Sequence, residues 1–258
     1  MNKENDLKVT QAELLAMMKE IHKLCEENHV QYSLTGGSLL GAVRESGFIP
    51  WDDDIDIMVD RGNYELLCRA IKQDARFRMG RGPWLQHIRP MRFHSQIEPY
   101  IDVFILDHVP DSALKARLKI LLLRLLQGML KEDAVYAGFS PVYKVCIFLS
   151  HAAGKLFSRR FKLALYDRVS QLGDSAASEY VSITNDAFGL LTKKYRSDLM
   201  DAQELHRFED TQLLITGKYR EYLSERYGSD YMTPPPEAER IAGQHAQRPR
   251  VSNEFTGV

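Results

Sequence analysis

Trp51-Asp52-Asp53-Asp54-Ile55-Asp56-Ile57-Met58-Val59 packs four carboxylates into five positions and then alternates apolar with polar residues. Ile55, Ile57 and Val59 fall on one side of an extended chain, and Asp54, Asp56 and Met58 on the other, which is the two-residue period of a strand. Asp54 and Asp56 therefore point the same way, Asp53 faces away, and Asp52 shares their face at the strand's edge. Such a strand turns one side to a core and offers carboxylates from the other. It makes the sheet the part of the molecule where chemistry is expected.

Working outward, Leu14, Leu15, Met18, Ile21 and Cys25 recur at helical spacing, so 11–28 reads as an amphipathic helix and 30–34 as a short strand. Thr35-Gly36-Gly37-Ser38 then leads into Leu39-Leu40-Gly41-Ala42-Val43, a strand-to-helix junction whose N–H groups and dipole attract an anion. Downstream, Arg61-Gly62-Asn63 breaks the acidic strand, and Tyr64, Leu67, Cys68 and Ile71 carry a helix onward. Residues 100–106 repeat the strand pattern, with Ile101, Val103 and Ile105 on one face and Asp102 on the other.

Residues 112–131 and much of 142–169 are helical, rich in Leu, Lys and Arg, with Arg159, Arg160 and Lys162 clustered in the second stretch. The turn-rich block 227–236 precedes a polar tail. No internal repeat is present. The organisation expected is a catalytic core over 1–110, a helical, acceptor-side region over 111–245 packed on it, and a polar tail over 246–258.

With 258 residues, 44% hydrophobic and 27% charged, the chain can bury a substantial core. A formal net charge of −1 gives no general pull toward nucleic acid, and none is expected as a partner. Cys25, Cys68 and Cys146 are isolated and odd in number, against a disulfide framework or a Cys-x-x-Cys zinc site. No histidine pairs with Cys in a zinc-like spacing, and none, His94 included, is given a role. The first residues lack the apolar run of a signal peptide, and 120–126 falls short of the ~20 apolar residues a spanning helix needs. A cytoplasmic protein is expected.

Phosphoryl and nucleotidyl transfer needs charge neutralised on attacking and leaving oxygens, which divalent ions held by convergent carboxylates do well. Asp54 and Asp56 on one strand, Asp102 on another and an upstream Gly-Ser turn supply such a set, and hard oxygen donors favour Mg²⁺, or Mn²⁺. Rival readings are weaker. An EF-hand loop begins Asp-x-Asp-x-Asp, but Ile57 stands at its glycine position and Asn63 at its closing Glu. A nucleotide-sugar glycosyltransferase needs a longer nucleotide-binding region before its Asp-x-Asp than 1–53 offers, and acidic clusters often lie on solvated faces.

Thr35-Gly36-Gly37-Ser38-Leu39-Leu40-Gly41-Ala42-Val43-Arg44, followed by Gly47-Phe48-Ile49-Pro50-Trp51-Asp52-Asp53-Asp54-Ile55-Asp56-Ile57, closely resembles the LicD family of phosphocholine transferases. The likeness continues through Ile101 to Asp107, Phe208-Glu209, Tyr222-Leu223 and Tyr227 to Met232, and spans roughly 11–245. It implies an α+β, nucleotidyltransferase-like mixed sheet flanked by helices, with a helical insertion and a C-terminal helical region. It also implies transfer of phosphocholine from CDP-choline, or of a similar phospho-alcohol from another CDP-alcohol, to a hydroxyl of a cell-surface glycan precursor of lipopolysaccharide or teichoic acid type, releasing CMP. Fukutin-related protein, a relative, uses CDP-ribitol. Carried over by position, Asp54 and Asp56 are metal ligands, Asp52 an additional one, and Asp102 the third carboxylate and the base. Ile105 stands where many relatives have proline, which leaves the end of that strand in doubt.

Beside these, Gly37 and Ser38 are candidates to hold diphosphate oxygens, and Arg44 and Arg92 to clamp phosphate with bidentate donors. Trp51 is a candidate to give a ring face to the choline ammonium, although packing is its commoner use; Trp84 and Tyr231 are lesser candidates. Glu209 is a candidate to orient acceptor or ammonium. The basic, apolar stretches 114–130 and 145–165 suit peripheral contact with an anionic inner membrane face and a lipid-linked acceptor, or else plain core helices with solvated rims. Two other functions remain open: transfer of NMP to a small sugar or antibiotic, and nucleotide binding without catalysis.

Overall fold

A computed structural model describes residues 3–93, 98–131, 141–173, 178–237 and 240. His94 and the 246–258 tail lie outside the described residues.

The chain begins with α1 (Lys3–Glu27), which presses Leu14, Met18, Ile21 and Cys25 into the core. Its polar first turns carry no apolar period, which is why the sequence placed its start near 11. After the two-residue β1 (Ser33–Leu34), α2 (Gly36–Glu45) starts at the Gly-Gly pair. Next come β2 (Ile55–Asp60) and α3 (Arg61–Gln73), with no break between them. Asp60 caps α3 by accepting from the Asn63 N–H at 2.7 Å, so the Arg61-Gly62-Asn63 breaker is a helix start.

An unforeseen hairpin, β3 (Phe77–Arg81) with β4 (Gln86–Pro90), precedes β5 (Ile101–His108). Helices α4 (Ala113–Leu130), α5 (Pro141–Gly154) and α6 (Arg159–Ser170) follow. The last third is less helical than the pattern indicated. It supplies β6 (Tyr180–Ile183), β7 (Tyr195–Arg196) and the hairpin β8 (Gln203–Phe208) with β9 (Thr211–Thr216) before α7 (Tyr219–Tyr227).

The main sheet runs β1-β2-β5-β4-β3, with β6 and β7 continuing from β5. Among the described strands only β2 and β5 pair in parallel, so the sheet is mixed and the class is α+β. β4 and β6 share one edge of β5, β4 against Ile101–Val103 and β6 against Leu106–His108. Asn185 fills the gap between them. Its Oδ1 accepts from the Ile105 N–H at 2.8 Å, while its Nδ2 donates to the Val103 carbonyl at 2.8 Å and to Gln86 Oε1 at 2.6 Å. The Ile105 N–H that a proline would remove is therefore in use, and β5 runs on to His108.

Ile55, Ile57, Ile101 and Val103 are fully buried at the centre of the main core. At roughly 1.5–3 kcal/mol per side chain, this apolar pairing fixes the β2–β5 register. A smaller core of Leu123, Leu126, Met129, Leu130, Tyr166 and Val169 holds α4 and α6 together.

Candidate active site

Parallel pairing sets Asp56 directly beside Asp102. Asp54, just before β2, completes a group whose three carboxylates each bring one oxygen within 4.8 Å of the others. Asp54 and Asp102 are buried, and Asp56 is partly so. The backbone of Asp56 is held from both ends by the turn before α2. Thr35 N–H donates to its carbonyl at 3.0 Å, and its own N–H donates to Ser38 Oγ at 2.9 Å.

The first two residues of α2 are glycines that lie against carboxylate oxygens, which an added Cβ would displace. A Cβ on Gly36, whose φ is +54°, would stand 2.6 Å from Asp56 Oδ2, and one on Gly37 would stand 2.6 Å from Asp52 Oδ2. The N-terminus of α2 thus faces the carboxylates at close range, as an anion seat would.

Crowding has an electrostatic cost. Burial first, then the charges of Asp54, Asp102 and Asp52, push the Asp56 carboxyl well above its ordinary range, and Arg226 partly offsets them. Three clustered carboxylates, two of whose charges weigh on Asp56, make a set suited to a divalent cation. Their hard oxygens match Mg²⁺ or Mn²⁺, whose ligands at 2.0–2.1 Å would lie within about 4.2 Å of one another. Small side-chain rotations cover the difference. Asp52 contributes charge to this group, but among the described residues the three-oxygen cluster is made by Asp54, Asp56 and Asp102.

Two neighbours of the cluster were not visible in the sequence. His87 on β4 lies opposite Asp102, and its Nδ1 makes a short hydrogen bond to Asp102 Oδ1. Tyr100 packs edge-on to the imidazole, with ring centroids 4.8 Å apart, and a Cβ at Gly82 would stand 2.8 Å from its Nε2. A row Asp56, Asp102, His87 therefore crosses three neighbouring strands. Only the pairing of β4 could have found it, since nothing local distinguishes His87.

The second is Arg226. It shares a face of α7 with Tyr222, whose hydroxyl is bonded to Thr35 Oγ1. Its guanidinium is nearly buried, donates to Asp186 Oδ2 at 2.7 Å, and is the cation that acts on Asp56.

The remaining sequence candidates fare differently. Ser38 is buried, its Oγ already accepting from the Asp56 N–H, so it serves first as a strut. Arg44 pairs with Glu45 at 2.8 Å and reaches the Tyr231 carbonyl at 3.5 Å rather than the carboxylates. Arg92 is exposed beyond β4. Trp51 packs against the main core and carries the Arg240 guanidinium over its ring at 5.2 Å, so its face does accept a cation.

Glu209 is exposed at the tip of the β8–β9 hairpin with φ +55°. Its Oε1 accepts from the Phe48 N–H at 3.0 Å, and its own N–H donates to the Ser46 carbonyl at 2.8 Å. It latches the loop that delivers Trp51 and the aspartates.

Residues 29–111, which include all three clustered aspartates and His87, match the family model described as LicD/FKTN/FKRP, nucleotidyltransferase domain. Across 92% of this chain and 96% of the relative, 28% of residues are identical to the lipopolysaccharide cholinephosphotransferase LicD of Haemophilus influenzae. The chain thus resembles the LicD family over this domain and, at 28% identity, almost end to end. Shorter likenesses link the chain to uncharacterized proteins of Rickettsia typhi, 50% identical over 63 residues, and Rickettsia prowazekii, 50% over 44 residues. These cover 23% and 17% of the chain and 20% and 16% of the relatives. Arg226, Asp186 and Glu209 lie outside the matched residues.

Proposed function

We propose that this protein is a metal-dependent phosphotransferase that moves phosphocholine from CDP-choline to a hydroxyl of a lipopolysaccharide-type glycan precursor, releasing CMP. The observation that carries this reading is the carboxylate cluster of Asp54, Asp56 and Asp102 in a chain that aligns almost end to end with a lipopolysaccharide cholinephosphotransferase.

Asp54, Asp56 and Asp102 would hold Mg²⁺ or Mn²⁺, with Asp52 adding negative charge beside them. The chemistry such an ion supplies is charge neutralisation on the attacking and leaving oxygens. The protein's own groups do the rest. The α2 N-terminus at Gly36-Gly37 and the Arg226 guanidinium receive the donor's phosphates from two sides. Asp102, with one oxygen held by His87, takes the acceptor's proton through the other.

The acceptor oxygen then bonds to the phosphorus that carries choline, and the bond from that phosphorus to CMP breaks. Trp51 offers its ring to the choline ammonium in exchange for Arg240. In this reading 1–110 carries the carboxylates, and the 111–245 region adds Arg226 on the donor side and faces the acceptor.

Incubating the protein with Mg²⁺, lipopolysaccharide and a panel of CDP-alcohols tests the proposal. CMP release with CDP-choline, abolished by Asp54→Asn or Asp56→Asn, is the expected result. Pyrophosphate release from CTP would point instead to NMP transfer. Full activity in either variant would overturn the assignment of the cluster.

A further inference from the structure

The inner side of α4 packs into the small core through Leu123, Leu126 and Leu130, with Ala116 buried on the same side. Its outer side is equally apolar. Leu114, Leu118, Leu121 and Leu125 are 77%, 51%, 63% and 45% exposed. At 3.6 residues per turn these four fall within an arc of roughly 60°, opposite the buried set. A surface helix normally carries one apolar stripe, and a helix apolar all round is normally buried all round.

Exposed apolar side chains recur on the neighbouring elements. Phe148 and Leu149 on α5, Leu156 at 82% exposure, and the stacked pair Phe157 and Phe161 all face solvent. Eleven of the eighteen exposed large apolar side chains among the described residues fall between 114 and 172. Scattered surface leucines need no explanation, but a concentration of this kind marks a contact surface.

Charge on the same elements has one sign. Residues 112–173 contain eleven Lys and Arg against three Asp and Glu, in a chain whose net charge is −1. Lys115 and Arg117 flank the outer leucine stripe on its two sides, and Lys155, Arg159, Arg160 and Arg168 are exposed on α6 or just before it. The one acid on α4 or α6, Asp167, is gripped by Arg81 through bonds of 2.8 and 2.7 Å.

We propose that the α4–α6 lobe docks on an anionic phospholipid surface, its leucines and phenylalanines entering the acyl boundary and its cations meeting lipid phosphates. An apolar stripe rimmed by Lys and Arg is the pattern of a helix lying in a membrane interface. No described helix is long and apolar enough to cross a membrane, so the contact is peripheral. A second copy of the chain is the poorer occupant, since face-to-face pairing would oppose cations to cations.

Flotation of the full chain with phosphatidylcholine vesicles, with and without phosphatidylglycerol, needs neither donor nor turnover and so stands apart from the transferase assay. Binding is expected only with phosphatidylglycerol and should fall at high salt. Lys115→Gln with Arg117→Gln should weaken it about fivefold per residue. Leu118→Asp with Leu121→Asp should abolish it while leaving the circular dichroism and the melt of the protein unchanged. Should the leucine pair unfold the lobe, the charge pair decides alone, because its side chains leave the small core intact.

No binding to anionic vesicles, equal binding to neutral ones, or indifference to the charge pair would overturn the proposal. So would a dimer, seen by sedimentation without vesicle binding, that the leucine pair dissolves.

Discussion

Asp56 is held where its own charge is disfavoured, and this gives it a testable signature. Its carboxyl titrates above the ordinary range in the folded protein because of burial and the charges of Asp54, Asp102 and Asp52. Between the ordinary value and that raised value the folded state binds more protons than the unfolded chain. Stability must therefore fall as pH rises through the window. In the presence of a chelator the melting temperature should drop as pH rises from the carboxylate range toward neutrality. Asp56→Asn should flatten the drop and melt higher at neutral pH, by about 2–4 °C for each kcal/mol of repulsion relieved. A lower melting temperature for Asp56→Asn would contradict this account. The same variant should be inactive, the usual exchange between stability and function at such positions. His87 acts one residue further out, by fixing the rotation of Asp102 through Nδ1. His87→Ala should lower Mg²⁺ affinity or turnover about 10–100-fold, the range found for partners of metal-binding side chains. His87→Asn, whose amide can reach the same oxygen, should recover part of it. If His87→Ala lowers only the melting temperature and leaves the Mg²⁺ dependence unchanged, the histidine is a packing residue.

At the scale of elements, the junction between β1 and α2 sets the site. Gly36 combines a φ of +54° with a carboxylate oxygen where a Cβ would go, whereas Gly37 has the close approach to Asp52 without the positive φ. Gly36→Ala should therefore cost both stability, roughly 1–2 kcal/mol for the backbone alone, and activity through displacement of Asp56. Gly37→Ala should lose activity with a smaller change in melting temperature. Paired melts and CMP assays separate the two, and a fully active Gly36→Ala would show that Asp56 has more freedom than this packing allows. The same region explains what sequence could reveal. β2 and β5 have clean alternation, so Asp54, Asp56 and Asp102 were legible from Ile55, Ile57, Ile101 and Val103 around them. β1 and β7 are two residues long, too short for any period, and β3 and β8 carry many polar side chains, so periodicity missed them. His87 reaches Asp102 through strand register, and Arg226 reaches Asp186 across 40 positions of chain. Both are consequences of tertiary pairing that no local pattern encodes.

At the scale of the whole molecule, two cores of unequal size share the work. The carboxylates stand on the larger, where β2 and β5 are buried at the sheet's centre, while α4 to α6 close a much smaller one. Polar links tie the lobe to the sheet and to the segment after β6, among them the bonds of Arg159 to the Arg81 and Gly82 carbonyls and of Tyr166 to the Thr184 carbonyl. Lys119 Nζ donates to the His108 carbonyl at 2.8 Å, and Arg81 on β3 forks onto Asp167 of α6. Chemistry that depends on sub-ångström placement of carboxylates calls for the rigid part, and a surface that must conform to a partner is better drawn from the less stable part. Hydrogen exchange should show this directly. Amides of β2 and β5 should exchange only through global unfolding, and those of α6 through a smaller opening of the lobe. Removing the Arg81 fork should widen that difference selectively. Asp167 is more than a third exposed, so solvent screening holds the expected loss to about 1 kcal/mol, or fivefold faster exchange in α6. Arg81→Ala should leave β2 and β5 protection unchanged. Equal acceleration across α6 and β5 would mean that the lobe and the sheet open together, and that the carboxylate cluster is no more rigid than the helices beside it.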